Sequence, residues 1–242
     1  MKDILQDIVS HTHSLGFLQL IKISTDKETV IESMTDTRSV ILNATTHQKV
    51  DEFSGVFGMS NLDKLNLHLK NPEYNEDAKI DIVQQDRNGE IVPTHIHFEN
   101  YKGDFQNDYR FMHKSIVEQK LKSAKFLGTT WQIELTPSIP SMHRFKLMNA
   151  AHSEETIFTV KTHGTDLIFS FGDSSSHAGQ FVFQNNIKGS LKRDLCWPIA
   201  EIQSIFNLNG DMTMSLSNDG VMKLSVDSGL AQYDYFCPAQ VK

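Results

Sequence analysis

Histidine is the first residue type in this chain that invites chemistry, because eleven are present. His95-Ile96-His97 alternates within a stretch of strand character, so both imidazoles leave one face, as two ligands of a metal ion would. His11-Thr12-His13 falls in a helical stretch, where side chains two apart diverge. No third ligand stands at a suggestive spacing from either pair, so the expectation is hydrogen-bonded or solvent-facing histidines and no metal. Cys196 and Cys237 lie in apolar surroundings and form no C-x-x-C pair, which fits a reducing compartment and free thiols. The chain has no G-x-S-x-G elbow, Walker loop or dinucleotide fingerprint, and Gly189-Ser190-Leu191-Lys192 lacks the preceding glycine of a phosphate loop. Carboxylates are plentiful, yet no pair is marked for acid–base work. The expectation is a protein that is not an enzyme and holds no cofactor.

The basic residues carry more. The helical stretch around Met142 bears His143, Arg144 and Lys146 and no acid. Around Leu62, Lys64 and His68 sit four apart, opposite much of a leucine stripe, with Lys70 one turn away. Lys2 opens the first helical stretch, and Lys192 and Arg193 precede the last. Taken singly, each fits a solvated helix face as well as a binding face. The net charge of −7 argues against coating nucleic acid by bulk attraction, and leaves room for a basic surface confined to one face. With 39% hydrophobic and 22% charged residues, the 242-residue chain reads as a soluble globular protein able to bury sizeable cores. No apolar run approaches the roughly 20 residues that span a bilayer. Asp3 and Asp7 interrupt the N-terminal apolar stretch, so neither export nor membrane attachment is expected.

The elements that must position these residues come twice in the same order. Ile4, Leu5, Ile8 and Val9 recur at helical spacing, as do Met142, Phe145 and Met148 after Pro140. Strands then read over 17–24, 30–34 and 39–44 in one half, and over 156–162, 167–171 and 180–184 in the other. A second helix follows in each, with stripes Met59, Leu62, Leu65, Leu69 and Ile199, Ile202, Ile205, Phe206. Pro198 is expected in the first turn of the latter. Three strands close each half: 78–83, 91–99 and 106–112, then 212–216, 221–226 and 232–236. Asn88-Gly89 and Asp219-Gly220 sit in the first hairpin turns. The duplication predicts an α+β protein of two similar domains, 1–112 and 129–242, joined by a connector over 113–128 that begins polar.

This layout resembles the sliding clamps related to proliferating-cell nuclear antigen, over nearly the whole chain. The local matches are Ser33-Met34-Thr35-Asp36 running into Val40-Ile41-Leu42, and Tyr235-Phe236-Cys237-Pro238-Ala239. The stretches Phe57-Gly58-Met59-Ser60-Asn61-Leu62, His95-Ile96-His97-Phe98, 103–111 and 227–235 are similar to clamps of T-even-like and marine cyanobacterial phages.

The resemblance implies a DNA-clamp fold, with two helices per domain packed on antiparallel sheets, assembled as a homotrimeric ring. It implies that helices line a hole around double-stranded DNA without reading sequence, that an ATP-dependent clamp loader opens the ring, and that a DNA polymerase docks by a short tail. On that view Lys2, Lys64, His68, Lys70, His143, Arg144, Lys146, Lys192 and Arg193 face DNA. By the resemblance Met34, Val40, Leu42, Tyr235, Cys237 and Pro238 frame the pocket for partner tails, with Val40 and Leu42 nearly as well suited to filling a core; Ile116, Val117 and Leu121 are added from the connector, which departs from the cellular pattern. The implied role is processivity in phage replication, in the cytoplasm of a bacterial host. Two alternatives stand beside it: a ring-forming tail-tube or baseplate protein, and a metal enzyme liganded by His95 and His97.

Overall fold

Alternating apolar residues and helical stripes produce sixteen strands and five α-helices among the described residues of the computed structural model. It describes residues 1–242 except 76, 88, 123–125, 127, 174, 176 and 241–242, and the side chains of 87 and 90. The turn position Asn88, the connector's Lys125 and part of the serine loop after Gly172 therefore lie outside the described residues. No described helix is long and apolar enough to cross a membrane. The chain forms two compact units. The first comprises Met1–Thr35, Leu42–Ala124 and Ser228–Tyr233; the second comprises Asp36–Ile41, Lys125–Asp227 and Asp234–Lys242.

The first unit opens with helix α1 (Lys2–His11), which buries Leu5, Ile8 and Val9. Thr12 ends it by donating its hydroxyl to the Ile8 carbonyl at 2.6 Å, and a short 3₁₀ turn holds His13. Strands β1 (Leu20–Thr25), β2 (Thr29–Met34), β3 (Ile41–Thr46) and β4 (Gly55–Ser60) precede helix α2 (Leu62–Lys70). A meander of β5 (Lys79–Arg87), β6 (Glu90–Glu99) and β7 (Gln106–Arg110) follows, then the short β8 (Met112–His113) and helix α3 (Lys114–Lys120). The strands hydrogen-bond in the orders β8-β4-β1-β2-β3 and β5-β6-β7. In the space under these sheets Tyr74, Phe98 and Phe57 are fully or almost fully buried.

The second unit repeats the plan. Strand β9 (Ile133–Leu135) precedes helix α4 (Ile139–Ala151), whose Ser138 cap accepts from the Ser141 N–H. Then come β10 (Ile157–His163), β11 (Asp166–Phe171), β12 (Gly179–Gln184), β13 (Leu195–Pro198) and helix α5 (Ile199–Phe206). The meander β14 (Asp211–Ser217), β15 (Val221–Asp227) and β16 (Ala231–Pro238) completes it. Here β12-β11-β10-β13 has the same third-second-first-fourth order as β3-β2-β1-β4, and β16-β15-β14-β9 contains the second meander. Phe145 of α4 is the hub of this core, with ring centroids 4.8 Å from Phe158, 5.5 Å from Phe171 and 5.4 Å from Phe206. Trp197 is fully buried and donates its indole N–H to the Cys237 carbonyl at 2.8 Å.

Two expectations change. Met59 lies in β4 rather than on a helix, and Pro198 ends β13 and caps α5 rather than entering its first turn. Near the start of the stretch read as a connector, Lys114–Lys120 form α3, with fully buried Val117 against Gly58 of β4. A Cβ on Gly58 would lie 2.8 Å from the Val117 Cβ, so only glycine admits that approach.

Candidate nucleic-acid interface and assembly edges

The buried stripe of a helix decides which of its cations reach solvent. On α2, Leu62, Leu65 and Leu69 face the core, and Asp63, Lys64, Leu67 and Lys70 are exposed. On α4, Ser141 and Phe145 face the core, and His143, Arg144, Lys146 and Leu147 are exposed. Arg144 and Lys146 are two apart, roughly 200° around the helix, so they flank a strip centred on His143 and Leu147. Leu67 and Leu147 keep 68% and 57% of their surface in solvent, so each cationic strip is interrupted by an exposed leucine. That mixture had no signal in the sequence, where leucine at helical spacing reads as core.

Helices α1, α2, α4 and α5 together carry five lysines and arginines against four acids, while the whole chain has 23 against 30. Negative charge is therefore concentrated off the helices. Within each unit, such helices suit weak, diffuse attraction to phosphate.

The remaining expected DNA contacts are placed otherwise. Lys2 is half-buried and donates its ammonium to the Tyr74 carbonyl at 2.6 Å, which ties α1 to the turn after α2. His68 is half-buried with its ring 5.1 Å from that of Phe98. Burial first, and Lys64 second, lower its pKa, so it packs as a neutral ring and brings no positive charge at neutral pH. Lys192 and Arg193 are exposed on the loop before β13, which leads into α5. Lys64 and Lys70 belong to the first unit; His143, Arg144, Lys146, Lys192 and Arg193 belong to the second.

The residues expected to hold partner tails divide sharply. Val40, Leu42, Val117, Tyr235 and Cys237 are at most 1% exposed and Leu121 8%, so these six offer almost no surface. Burial also pushes the Cys237 thiol pKa far up, which leaves it an inert thiol. Exposed Ile116, half-exposed Met34 and exposed Pro238 are the remaining three.

His95 and His97 do share a face of β6, as their alternation requires. Each is engaged: His97 Nδ1 lies 2.9 Å from Asp108 Oδ1, and His95 Nδ1 lies 2.9 Å from the Thr94 hydroxyl. The bond to Asp108 raises the His97 pKa, whereas burial lowers that of His95. Among the described residues no group of three or more His, Cys, Asp or Glu side chains could hold a metal ion.

Among the described residues, each unit also ends a sheet in a strand with one edge unpaired. Strand β12 lies outermost in β12-β11-β10-β13, and β7 outermost in β5-β6-β7. Both were expected as edges. An open row of backbone donors and acceptors is a template for another strand.

Two α+β units of one plan, with paired helices on antiparallel sheets, define the DNA-clamp fold. Solved structures bear this out across the chain. The Archaeoglobus fulgidus PCNA in complex with the C-terminal region of FEN-1 superposes with TM-score 0.68 at 10% identity, covering 100% of this chain and 95% of that one. PCNA from Thermococcus kodakaraensis gives 0.67 at 10% identity, covering 98% and 97%. A chain of the Sulfolobus tokodaii PCNA2–PCNA3 complex gives 0.65 at 11%, covering 98% and 97%. No family model and no curated protein sequence matches the chain.

Proposed function

We propose that this chain is a sliding clamp, a processivity factor that encircles double-stranded DNA and tethers a DNA polymerase to it. The observation that carries the reading is the extent of the likeness: it takes in 98–100% of this chain and 95–97% of each of the three PCNA chains described. A shared module inside an unrelated protein would match only in part. The ring is three copies joined head to tail, β7 of one copy pairing with β12 of the next, because a heterologous contact that closes removes both edges. Lys64, Lys70, Arg144 and Lys146 face the duplex and attract its backbone without reading bases, as a sliding contact requires. An ATP-dependent clamp loader opens the ring, and the setting is phage replication in the bacterial cytoplasm, in keeping with the phage-like stretches of sequence.

Sedimentation equilibrium at micromolar concentration tests the assembly. A closed species of three copies is expected. A stable monomer, or a polymer that lengthens with concentration as a tube protein would, overturns the reading.

A further inference from the structure

The duplication exposes an asymmetry between the two meanders. In the second unit, the outer edge of β14 is covered: β9 pairs with it antiparallel, Met214 opposite Leu135, Ser215 opposite Glu134, and Leu216 opposite Ile133. In the first unit, β5 occupies the place of β14, and among the described residues no strand pairs with its outer edge. The side chains beneath report the difference. Met214 and Leu216 are fully buried, whereas their counterparts Ile80 and Ile82, which face inward opposite buried Phe98 and Ile96, remain half-exposed. Strand β9 contributes one buried aliphatic, Ile133, to close its own layer. The β5 layer lacks that contribution.

We propose that the open edge of β5 over Lys79–Val83 is a docking slot for an extended segment of a partner protein, which enters as a further antiparallel strand. Backbone hydrogen bonds supply the attachment and alternate side chains the selection, as in strand addition generally. Two aliphatic side chains of the segment drop beside Ile80 and Ile82, as Ile133 and Leu135 flank Glu134 in β9. The residue between them faces outward next to Asp81, as Glu134 stands opposite Ser215. Asp81 is exposed and makes no ion pair among the described residues, and the neighbouring Lys79 is engaged by Glu99 at 3.0 Å. A central lysine or arginine therefore fits the slot, and a central glutamate does not. The strand filling the equivalent place within this chain, with its acid exchanged for a base, is the model for the ligand.

The probe follows from that: the capped hexapeptide Trp-Gln-Ile-Lys-Leu-Thr, which is residues 131–136 with lysine in place of Glu134. Hydrogen exchange of the intact protein, with millimolar peptide, is expected to slow at 79–83 and nowhere else. The lysine peptide should bind roughly three- to fivefold more tightly than the native glutamate peptide, the scale of an exposed ion pair. Asp81→Lys should reverse that order, and N-methylation of the peptide's central backbone should abolish protection. The proposal is overturned if 79–83 gains no protection, if protection appears elsewhere, if N-methylation makes no difference, or if Asp81→Lys leaves the order unchanged. It is also overturned if β5 amides of the free protein are already as slow as those of β14, which would mean that a second copy fills the slot. The measurement involves neither DNA nor polymerase, so its outcome is independent of the processivity reading.

Discussion

Asp7 offers a sharp test of how the end of the chain is built into the first unit. Its side chain is 10% exposed, and Oδ2 accepts from the Ser228 hydroxyl at 2.9 Å and from the Tyr233 hydroxyl at 2.8 Å. Oδ1 lies 3.3 Å from His11 Nδ1, and the His11 ring stacks on Tyr233 at 4.3 Å. Burial alone would raise the Asp7 pKa, but the bonds from His11, Tyr233 and Ser228 outweigh it and the net shift is downward. A carboxylate whose folded pKa is depressed stabilises the protein fully above its unfolded value, here 3.8, and loses that contribution as pH falls through the folded value. Hydrogen bonds to a charged group contribute about 1.5–3 kcal/mol each. Asp7→Asn, which keeps shape and an acceptor, should cost about 1–3 kcal/mol at pH 7. Asp7→Ala strands its donors and should cost about 3–5 kcal/mol. Urea denaturation at fixed protein concentration, from neutral pH down to pH near 3, measures both. The gap between wild type and Asp7→Asn should hold steady at neutral pH and narrow below the unfolded pKa. A double-mutant cycle with Tyr233→Phe should show coupling of about 1 kcal/mol or more. No loss at pH 7, or a gap that widens on acidification, would refute the argument.

Three further outcomes are expected. Replacing Lys64, Lys70, Arg144 and Lys146 together by alanine should leave the oligomer intact and shorten primer extension most at low salt, with the deficit shrinking as salt rises, because each lost phosphate contact removes a share of counterion release and so flattens the salt dependence; equal processivity across the salt series would mean that another surface meets DNA. Phe145→Ala should destabilise the second unit by about 3–5 kcal/mol, read as a lowered urea midpoint, since the ring touches four other aromatics. Native mass spectrometry of gently purified protein should find no stoichiometric zinc or iron, given that His95 and His97 are already engaged.

Much of this fold was legible because its strongest signals are periodic. The stripes on α1, α2 and α5, and the alternation of β5, β6 and β14–β16, read directly from apolar spacing. Strand β4 did not, because Gly55 and Gly58 look like loop; Gly58 is in fact required by the approach of Val117. Strand β13 escaped for the opposite reason: Leu195-Cys196-Trp197-Pro198 is buried on both faces, short and uniformly apolar, and so has no period. The candidate site was legible only in part. Residue type marked Lys64, Lys70, Arg144 and Lys146, which do reach solvent. Type alone could not tell that the Lys2 ammonium is held by a carbonyl, that His68 packs on Phe98, or that six of the nine expected partner contacts are interior. Those facts depend on residues distant in sequence. The open edge of β5 was invisible because it is defined by comparison with β9, a three-residue strand below the length at which alternation can be recognised.

The way the chain is shared between the units bears on how it is made. Ser228–Tyr233 belongs to the first unit and Asp36–Ile41 to the second. A nascent chain usually completes its first domain while later ones are still being synthesised. Here Asp7 and His11 wait for Ser228 and Tyr233, so the first unit cannot finish folding until almost the whole polypeptide has been translated. Conversely the second unit draws Val40, fully buried, from a segment made near the beginning. Neither half is a fragment that can be excised by cutting the chain once. A ribosome-stalled chain ending near residue 120 should therefore remain protease-sensitive, and the two units should unfold together even though each repeats the other's plan.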